Sequence, residues 1–84
     1  MSHYKKLYDK IKNNPKDVSF EELDKLLTKV GGFSRRNPNG GSSHYIFYHP
    51  DLEEHISIKK DNPVKVIYVK KALELFEIVR EDLW

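Results

Sequence analysis

The chain has 84 residues, enough for one domain, since domains usually contain about 100–150 residues. It has no cysteine, which excludes disulfides, thiolate metal sites and cysteine nucleophiles. The net charge of +2 neither requires nor forbids an anionic partner. No apolar run approaches the roughly 20 residues that span a bilayer, and the N-terminus lacks the apolar stretch of a signal peptide. We therefore expect a cytoplasmic protein with no membrane contact.

Two helices are predicted in the N-terminal part of the chain. The first is indicated by apolar residues at positions i, i+3, i+4 and i+7, which are Tyr4, Leu7, Tyr8 and Ile11. It should end before Pro15, because proline disfavours the α conformation in the residue before it. The second should begin at Ser19, whose spacing from Glu22 is that of a capping box, and end at Gly31-Gly32.

Three antiparallel strands and a last helix are predicted after these helices. Arg35-Arg36 belongs to the first strand, and the turn-forming residues 37–42 to a hairpin loop. The second strand, His44–His49, is rich in aromatic residues, and the third, His55–Lys59, alternates apolar and polar residues. A helix should then run from about Ile67 to Arg80. The predicted class is α+β, in the order α-α-β-β-β-α, with helices on one sheet face and the other face open.

The histidines differ in what their positions suggest. His44 lies where a loop rich in glycine and serine enters the second strand, a location at which catalytic side chains are often presented. Alternation places His44 and His49 on opposite faces of that strand, which argues against a two-histidine site within it. His49 precedes Pro50 and is interpreted as part of a turn. With no dense carboxylate cluster and no metal-binding motif, we expect neither a metal nor another cofactor.

A single imidazole can still transfer a proton near neutral pH, because its unperturbed pKa is about 6.5. RNA cleavage requires little else, since the ribose 2′-hydroxyl is a built-in nucleophile and nearby cations can stabilise the charged transition state. His44 is therefore a candidate catalytic residue. The alternative interpretation is a strand-edge histidine that hydrogen-bonds the loop.

Three pairs of adjacent basic residues are candidate contacts to phosphate. Lys70 and Lys71 lie in the first turns of the predicted last helix, where positive charge is unfavourable because it opposes the helix macrodipole. A phosphate bound at the helix N-terminus would make the interaction favourable. Alternation predicts that one of the two arginines faces the open side of the sheet. The alternative in each case is a solvated surface charge. The pairs are Arg35 and Arg36, Lys59 and Lys60, and Lys70 and Lys71.

The aromatic residues of the second strand allow two interpretations. Tyr45, Phe47 and Tyr48 have side chains of the kind that stack on unpaired bases in proteins that bind single strands. The alternative is packing in the hydrophobic core, because a chain this small needs most of its aromatic residues inside.

A longer pattern extends from Ser19 to Phe76, and it resembles the HicA family of toxin ribonucleases. The pattern starts with a leucine-rich helix that ends in Gly31-Gly32-Phe33, followed by the arginine pair. It continues with Ser42-Ser43-His44, an alternating aromatic strand that ends in His49-Pro50, and the segment from Pro63 to Lys71.

The resemblance implies a fold like that of a double-stranded-RNA-binding domain, with residues 19–80 as the core and residues 1–18 as an N-terminal helical extension. It further implies the toxin of a type II toxin-antitoxin system, which cleaves mRNA without a metal and is neutralised by a HicB-type antitoxin. The family's catalytic histidine falls on His44, and Ser43 would orient the loop or the phosphate. A non-catalytic RNA-binding module of the same fold is the alternative.

Two positions depart from the family pattern. Ser42 stands where the motif has glycine, and Asp61 stands where many relatives have a histidine. The first change is expected to alter the loop before His44, and the two departures together predict weakened or lost activity.

Overall fold

The computed structural model describes residues 2–37 and 43–80. Within these residues the chain forms three helices and a three-stranded antiparallel sheet, which confirms the predicted α+β class. The predicted hairpin loop lies almost entirely outside the described residues. The elements, in chain order, are α1 (Ser2–Asn13), α2 (Phe20–Lys25) with a π-helical continuation (Leu26–Val30), β1 (Ser34–Arg36), β2 (His44–Tyr48), β3 (Ile56–Lys59) and α3 (Val66–Val79).

The start of α2 is fixed by the predicted capping box. The Glu22 N–H donates to Ser19 Oγ at 3.1 Å, and the Ser19 N–H donates to Glu22 Oε1 at 3.1 Å. Each side chain thus satisfies a backbone N–H that lacks a partner in the first turn of a helix. The Phe20 N–H is bound from outside the helix, by Asn62 Oδ1 at 2.8 Å. This contact joins α2 to the segment between β3 and α3.

The end of the second helix is wider than the sequence predicts. The Gly31 N–H donates to the Leu26 carbonyl at 3.0 Å, five residues back, which is the hydrogen bond of a π-helix. Gly32 then adopts a φ of +74°, and the Phe33 N–H donates to the Leu27 carbonyl at 2.9 Å. Glycine suits this left-handed position because it has no Cβ. The predicted end at Gly31-Gly32 is therefore confirmed, and the π-helical turn is new.

The sheet has the order β1-β2-β3, so β2 is its central strand. Arg36 pairs with Ile46 in one ladder, while His44 pairs with Lys59 and Phe47 with Ile56 in the other. Side chains alternate between the two faces of a strand. His44, Ile46 and Tyr48 consequently share one face, as predicted, and Phe47 is fully buried on the other.

The hydrophobic core lies between the buried face of the sheet and the helices. Tyr8 of α1 stacks on Phe76 of α3 with ring centroids 5.5 Å apart, so the N-terminal helix contributes to the same core as the rest of the chain. In the described part of the chain, no helix has the length and apolar composition needed to cross a membrane. The buried core residues are Tyr8, Ile11, Val18, Phe20, Leu23, Leu26, Leu27, Phe33, Phe47, Ile56, Ile58, Val64, Val69, Ala72, Leu73, Leu75 and Phe76.

Candidate functional site

One face of the sheet points away from the core, and we call it the open face. Register and alternation place residues from all three strands on this face. The members differ in exposure: Ile46 and Lys59 are half-buried, and the others are exposed. The open face thus offers imidazole, cationic and aromatic groups to a partner. Its strand residues are Ser34, Arg36, His44, Ile46, Tyr48, Ser57 and Lys59.

His44 is the first residue of β2 and is exposed on the open face. Its pairing partner across the sheet is Lys59, so a cation lies on the neighbouring strand directly opposite the imidazole. The backbone pairing between β2 and β3 extends by one more residue on each strand, because the Lys60 N–H, just after β3, donates to the carbonyl of Ser43, just before β2, at 2.7 Å. This hydrogen bond joins the residue before His44 to the residue that follows β3.

Of the two positions that depart from the family pattern, Asp61 lies near the same end of the sheet. The Asp61 N–H donates to the Lys59 carbonyl at 3.0 Å, so Asp61 takes part in the turn that ends β3. Ser42 lies outside the described residues. Ser43 is exposed, and its described hydrogen bond is made by its carbonyl and not by its hydroxyl.

His49 has a structural role at the opposite face, which agrees with the turn interpretation. Its Nδ1 accepts a hydrogen bond from the Asp51 N–H at 3.0 Å, and its ring lies 5.2 Å from that of Phe33, edge to face. Only 12% of its side chain is exposed. Because Nδ1 is an acceptor, the neutral ring carries its proton on Nε2.

His55 is a residue of the open face that the sequence analysis did not single out. It precedes β3, and its ring lies 6.1 Å from that of Tyr48 with an angle of 70° between the planes. Alternation offered a signal, because His55 has the same parity as Ser57 and Lys59. Its contact with Tyr48, however, depends on the register between two strands.

The two adjacent arginines point in opposite directions. Arg35 forms an ion pair with Asp24 of α2, with Nη1 and Oδ2 2.9 Å apart, and its guanidinium lies 5.2 Å from the Tyr45 ring centroid. Arg36 lies on the open face and has no ion pair with any described residue. The prediction that one arginine faces the open side is confirmed. Arg35 would have to leave Asp24 before binding a phosphate.

In each of the two lysine pairs, one lysine contacts another side chain and the other forms no ion pair with a described residue. Lys60 lies over the Phe20 ring at 5.7 Å, whereas Lys59 belongs to the open face. Lys71 forms ion pairs with Glu54 at 2.8 Å and Glu74 at 3.4 Å. The hydrogen bond to Glu54 raises the pKa of Lys71 above its ordinary value, and the hydrogen bond to Glu74 contributes less to this rise. Within residues 2–37 and 43–80, neither Lys59 nor Lys70 forms an ion pair.

Lys70 lies in the helix layer and not on the open face. It is exposed on α3, the helix whose residues Val69, Ala72 and Phe76 are buried in the core. Of the six predicted cations, the structure therefore brings Arg36 and Lys59 together with His44 on one surface. Arg35, Lys60 and Lys71 each contact another side chain of the protein.

A shallow depression of about 300 Å³ opens at the end of the open face farther from His44. It is lined by Arg36, Ile46, Tyr48 and His55, so it combines one cation with two aromatic rings and an aliphatic side chain. This combination suits a planar ligand that carries negative charge nearby.

Across the described residues, histidines and carboxylates form no group of three or more that could hold a metal ion. Comparisons of the chain with protein-family models, with curated proteins and with solved structures give no match.

Proposed function

We propose that the protein is an endoribonuclease toxin of the HicA type, which cleaves mRNA without a metal and uses His44 to transfer the proton. The observation that supports this most strongly is the placement of His44. Its imidazole is exposed at a loop-to-strand junction, on the same face as Lys59 and Arg36. Metal-free RNA cleavage can use a proton-transfer group together with a nearby cation.

The chemistry uses the RNA's own 2′-hydroxyl as the nucleophile. Removal of its proton lets the 2′ oxygen bond to phosphorus, while the bond between phosphorus and the 5′ oxygen breaks and that oxygen takes up a proton. The products are a 2′,3′-cyclic phosphate and a 5′-hydroxyl. His44 serves as the base or as the acid in this step and water makes the other proton transfer, while Lys59 stabilises the negative charge that develops on the phosphate oxygens.

The remaining assignments follow from the resemblance. A fold of the double-stranded-RNA-binding type agrees with the observed class and with a sheet whose helices pack on one face. A HicB-type antitoxin would silence the enzyme by covering the open face and His44. A complex of toxin and antitoxin that leaves this face accessible would contradict that part of the proposal.

The test is the variant His44→Ala in assays of RNA cleavage and of growth inhibition. Loss of the proton-transfer group should lower the cleavage rate by about 10²- to 10⁴-fold, the usual contribution of general acid-base catalysis. Wild-type cleavage should persist in a chelator. Lys16→Gln, which removes one exposed cation between α1 and α2, is the control and should cleave at the wild-type rate.

Two outcomes would reject the catalytic assignment. One is a His44→Ala protein that is folded by circular dichroism and cleaves RNA as fast as the wild type. The other is salt-dependent RNA binding by the wild type without cleavage of RNA of any length. The second outcome would support the alternative, a non-catalytic RNA-binding module that uses the same open face.

A further inference from the structure

The depression at the far end of the open face from His44 has no assigned role in the cleavage step. We propose that Arg36, Tyr48 and His55 form a subsite that binds one unpaired nucleotide of the RNA a few nucleotides from the point of cleavage, an inference that rests on the proposed function. The base would stack in the depression, and its phosphate would bind Arg36.

The aromatic side chains provide the surface for the base. Tyr48 lies in the central strand, and 36% of it is exposed. The Tyr48 and His55 rings meet at 70°, so they form two walls of a corner, with the half-buried Ile46 beside them. Bases stack on aromatic rings whatever their sequence, because each base has a π face. The volume of about 300 Å³ lies at the lower end of the range for ligand pockets.

Arg36 provides the charge that a nucleotide needs. It lies opposite Ile46 in the ladder between β1 and β2, and no described carboxylate is paired with it. Its neighbour Arg35, by contrast, is held by Asp24 on the other side of the sheet. A planar guanidinium can bind two phosphate oxygens at once. The arginine that lines the depression is thus the one with no carboxylate partner among the described residues.

The subsite lies at a distance from His44 that one RNA strand can bridge. His44, Ile46 and Tyr48 follow each other on the same face of β2. A strand rises about 3.3 Å per residue, so Tyr48 lies about 13 Å along the strand from His44. An extended RNA strand covers this separation within a few nucleotides. A base bound at Tyr48 would thus fix the register of the strand over the imidazole.

This subsite determines the class of substrate, because it needs the face of a base. In a duplex the base faces are stacked on each other, and proteins bind double-stranded RNA through its shape and backbone. The inferred substrate is therefore a single-stranded segment of RNA, although the fold resembles one that is used for duplexes.

The experiment uses a short single-stranded 2′-O-methyl RNA, which has no 2′-hydroxyl and is not cleaved. The fluorescent base 2-aminopurine is placed at each position in turn, and the full-length protein is titrated against each oligonucleotide. We expect quenching at one position, lost in Tyr48→Leu together with a 5- to 150-fold rise in Kd, from the roughly 1–3 kcal/mol per stacked base. Arg36→Gln should also weaken binding, while Lys16→Gln should match the wild type in both readouts.

The outcomes separate the subsite from the proposed catalysis. Quenching and affinity that Tyr48→Leu leaves unchanged would overturn the subsite, even if His44→Ala abolishes cleavage. A position-specific quench lost in Tyr48→Leu would support the subsite, even if the wild type cleaves no RNA. Equal affinity for a matched 2′-O-methyl duplex would overturn the inference of a single-stranded substrate. Circular dichroism of each variant shows whether it is folded, and Arg36→Gln tests the subsite independently of any effect of Tyr48→Leu on the sheet.

Discussion

At the scale of single residues, side chains that are neighbours in the sequence have different environments in the fold. Arg35 and Arg36 carry the same charge, but one is paired with Asp24 and the other lies on the open face. Alternation predicts that the two arginines diverge. It does not predict which one meets a carboxylate, because Asp24 lies on a helix and its position depends on how that helix packs on the sheet.

Gly31 is a position where packing leaves no room for a side chain. A Cβ there would lie 2.9 Å from the Leu27 carbonyl oxygen, 2.9 Å from Phe76 Cδ1 and 3.0 Å from Phe33 Cδ1. We predict that Gly31→Ala lowers the free energy of unfolding by about 1–3 kcal/mol, the usual cost of overpacking. Urea denaturation measures this change.

The control for that prediction is Lys29→Ala, which removes an exposed side chain from the same π-helical segment. Its urea midpoint should stay close to that of the wild type, because alanine favours helical structure and no core contact is lost. If Gly31→Ala unfolds at the wild-type urea concentration, the helix end is less tightly packed than the distances indicate.

At the scale of elements, α1 and α3 are joined by a polar cluster at the edge of the core. The Tyr8 hydroxyl donates to Glu77 Oε2 at 2.7 Å, and Lys12 Nζ lies 2.9 Å from the same oxygen. These hydrogen bonds, first that of Tyr8 and then that of Lys12, hold the pKa of Glu77 below its ordinary value. In turn, the hydrogen bond to Glu77 raises the pKa of Lys12.

The cluster predicts a loss of stability in acid. Because the pKa of Glu77 is lower in the folded than in the unfolded chain, its contribution is present above the ordinary carboxyl pKa of 4.5 and is lost as the pH falls through the folded pKa. In Glu77→Gln this part of the loss should be absent. The fall in unfolding free energy on acidification should differ between the wild type and Glu77→Gln by less than about 1 kcal/mol, because the ion pair is accessible to water.

Urea titrations between pH 7 and pH 2 measure this effect as a difference in unfolding free energy between variant and wild type. Glu53→Gln, which removes an exposed carboxylate between β2 and β3, is the matched control. An equal fall in stability for Glu77→Gln and the wild type would show that the cluster does not contribute to acid sensitivity.

At the scale of the whole molecule, the N-terminal helix is packed into the domain. Ile11 of α1 is fully buried, and Tyr8 stacks on Phe76. We predict that Ile11→Ala lowers the free energy of unfolding by about 2–5 kcal/mol, the range for removing a large aliphatic side chain from a core. That is a large part of the roughly 5–15 kcal/mol of a typical domain.

Leu7→Ala is the control on the same helix, because Leu7 is only half-buried against the core. Its loss, measured by urea denaturation at the same pH, should be clearly smaller than that of Ile11→Ala. Comparable losses below about 1 kcal/mol for both variants would mean that α1 contributes little to the stability of the domain.

The sequence by itself determined the features that depend on neighbouring residues. The α+β class, the capping box at Ser19 and Glu22, the helix end at Gly31-Gly32 and the alternation along β2 are all confirmed. Each follows from residues within a few positions of each other, through local hydrogen bonds, backbone preferences or strand periodicity. The candidate role of His44 was also inferred from such local signals and stays a prediction.

Only the tertiary structure decided which side chains meet. It paired Arg35 with Asp24 and Lys71 with Glu54, and it brought His55 against Tyr48. The first contact joins β1 to α2, the second joins α3 to the connection between β2 and β3, and the third depends on the register between two strands. The physical reason is that packing of the core sets the positions of helices relative to the sheet, and that arrangement is encoded by all the buried residues together. The net charge of +2 therefore says little about which cations are available to a partner.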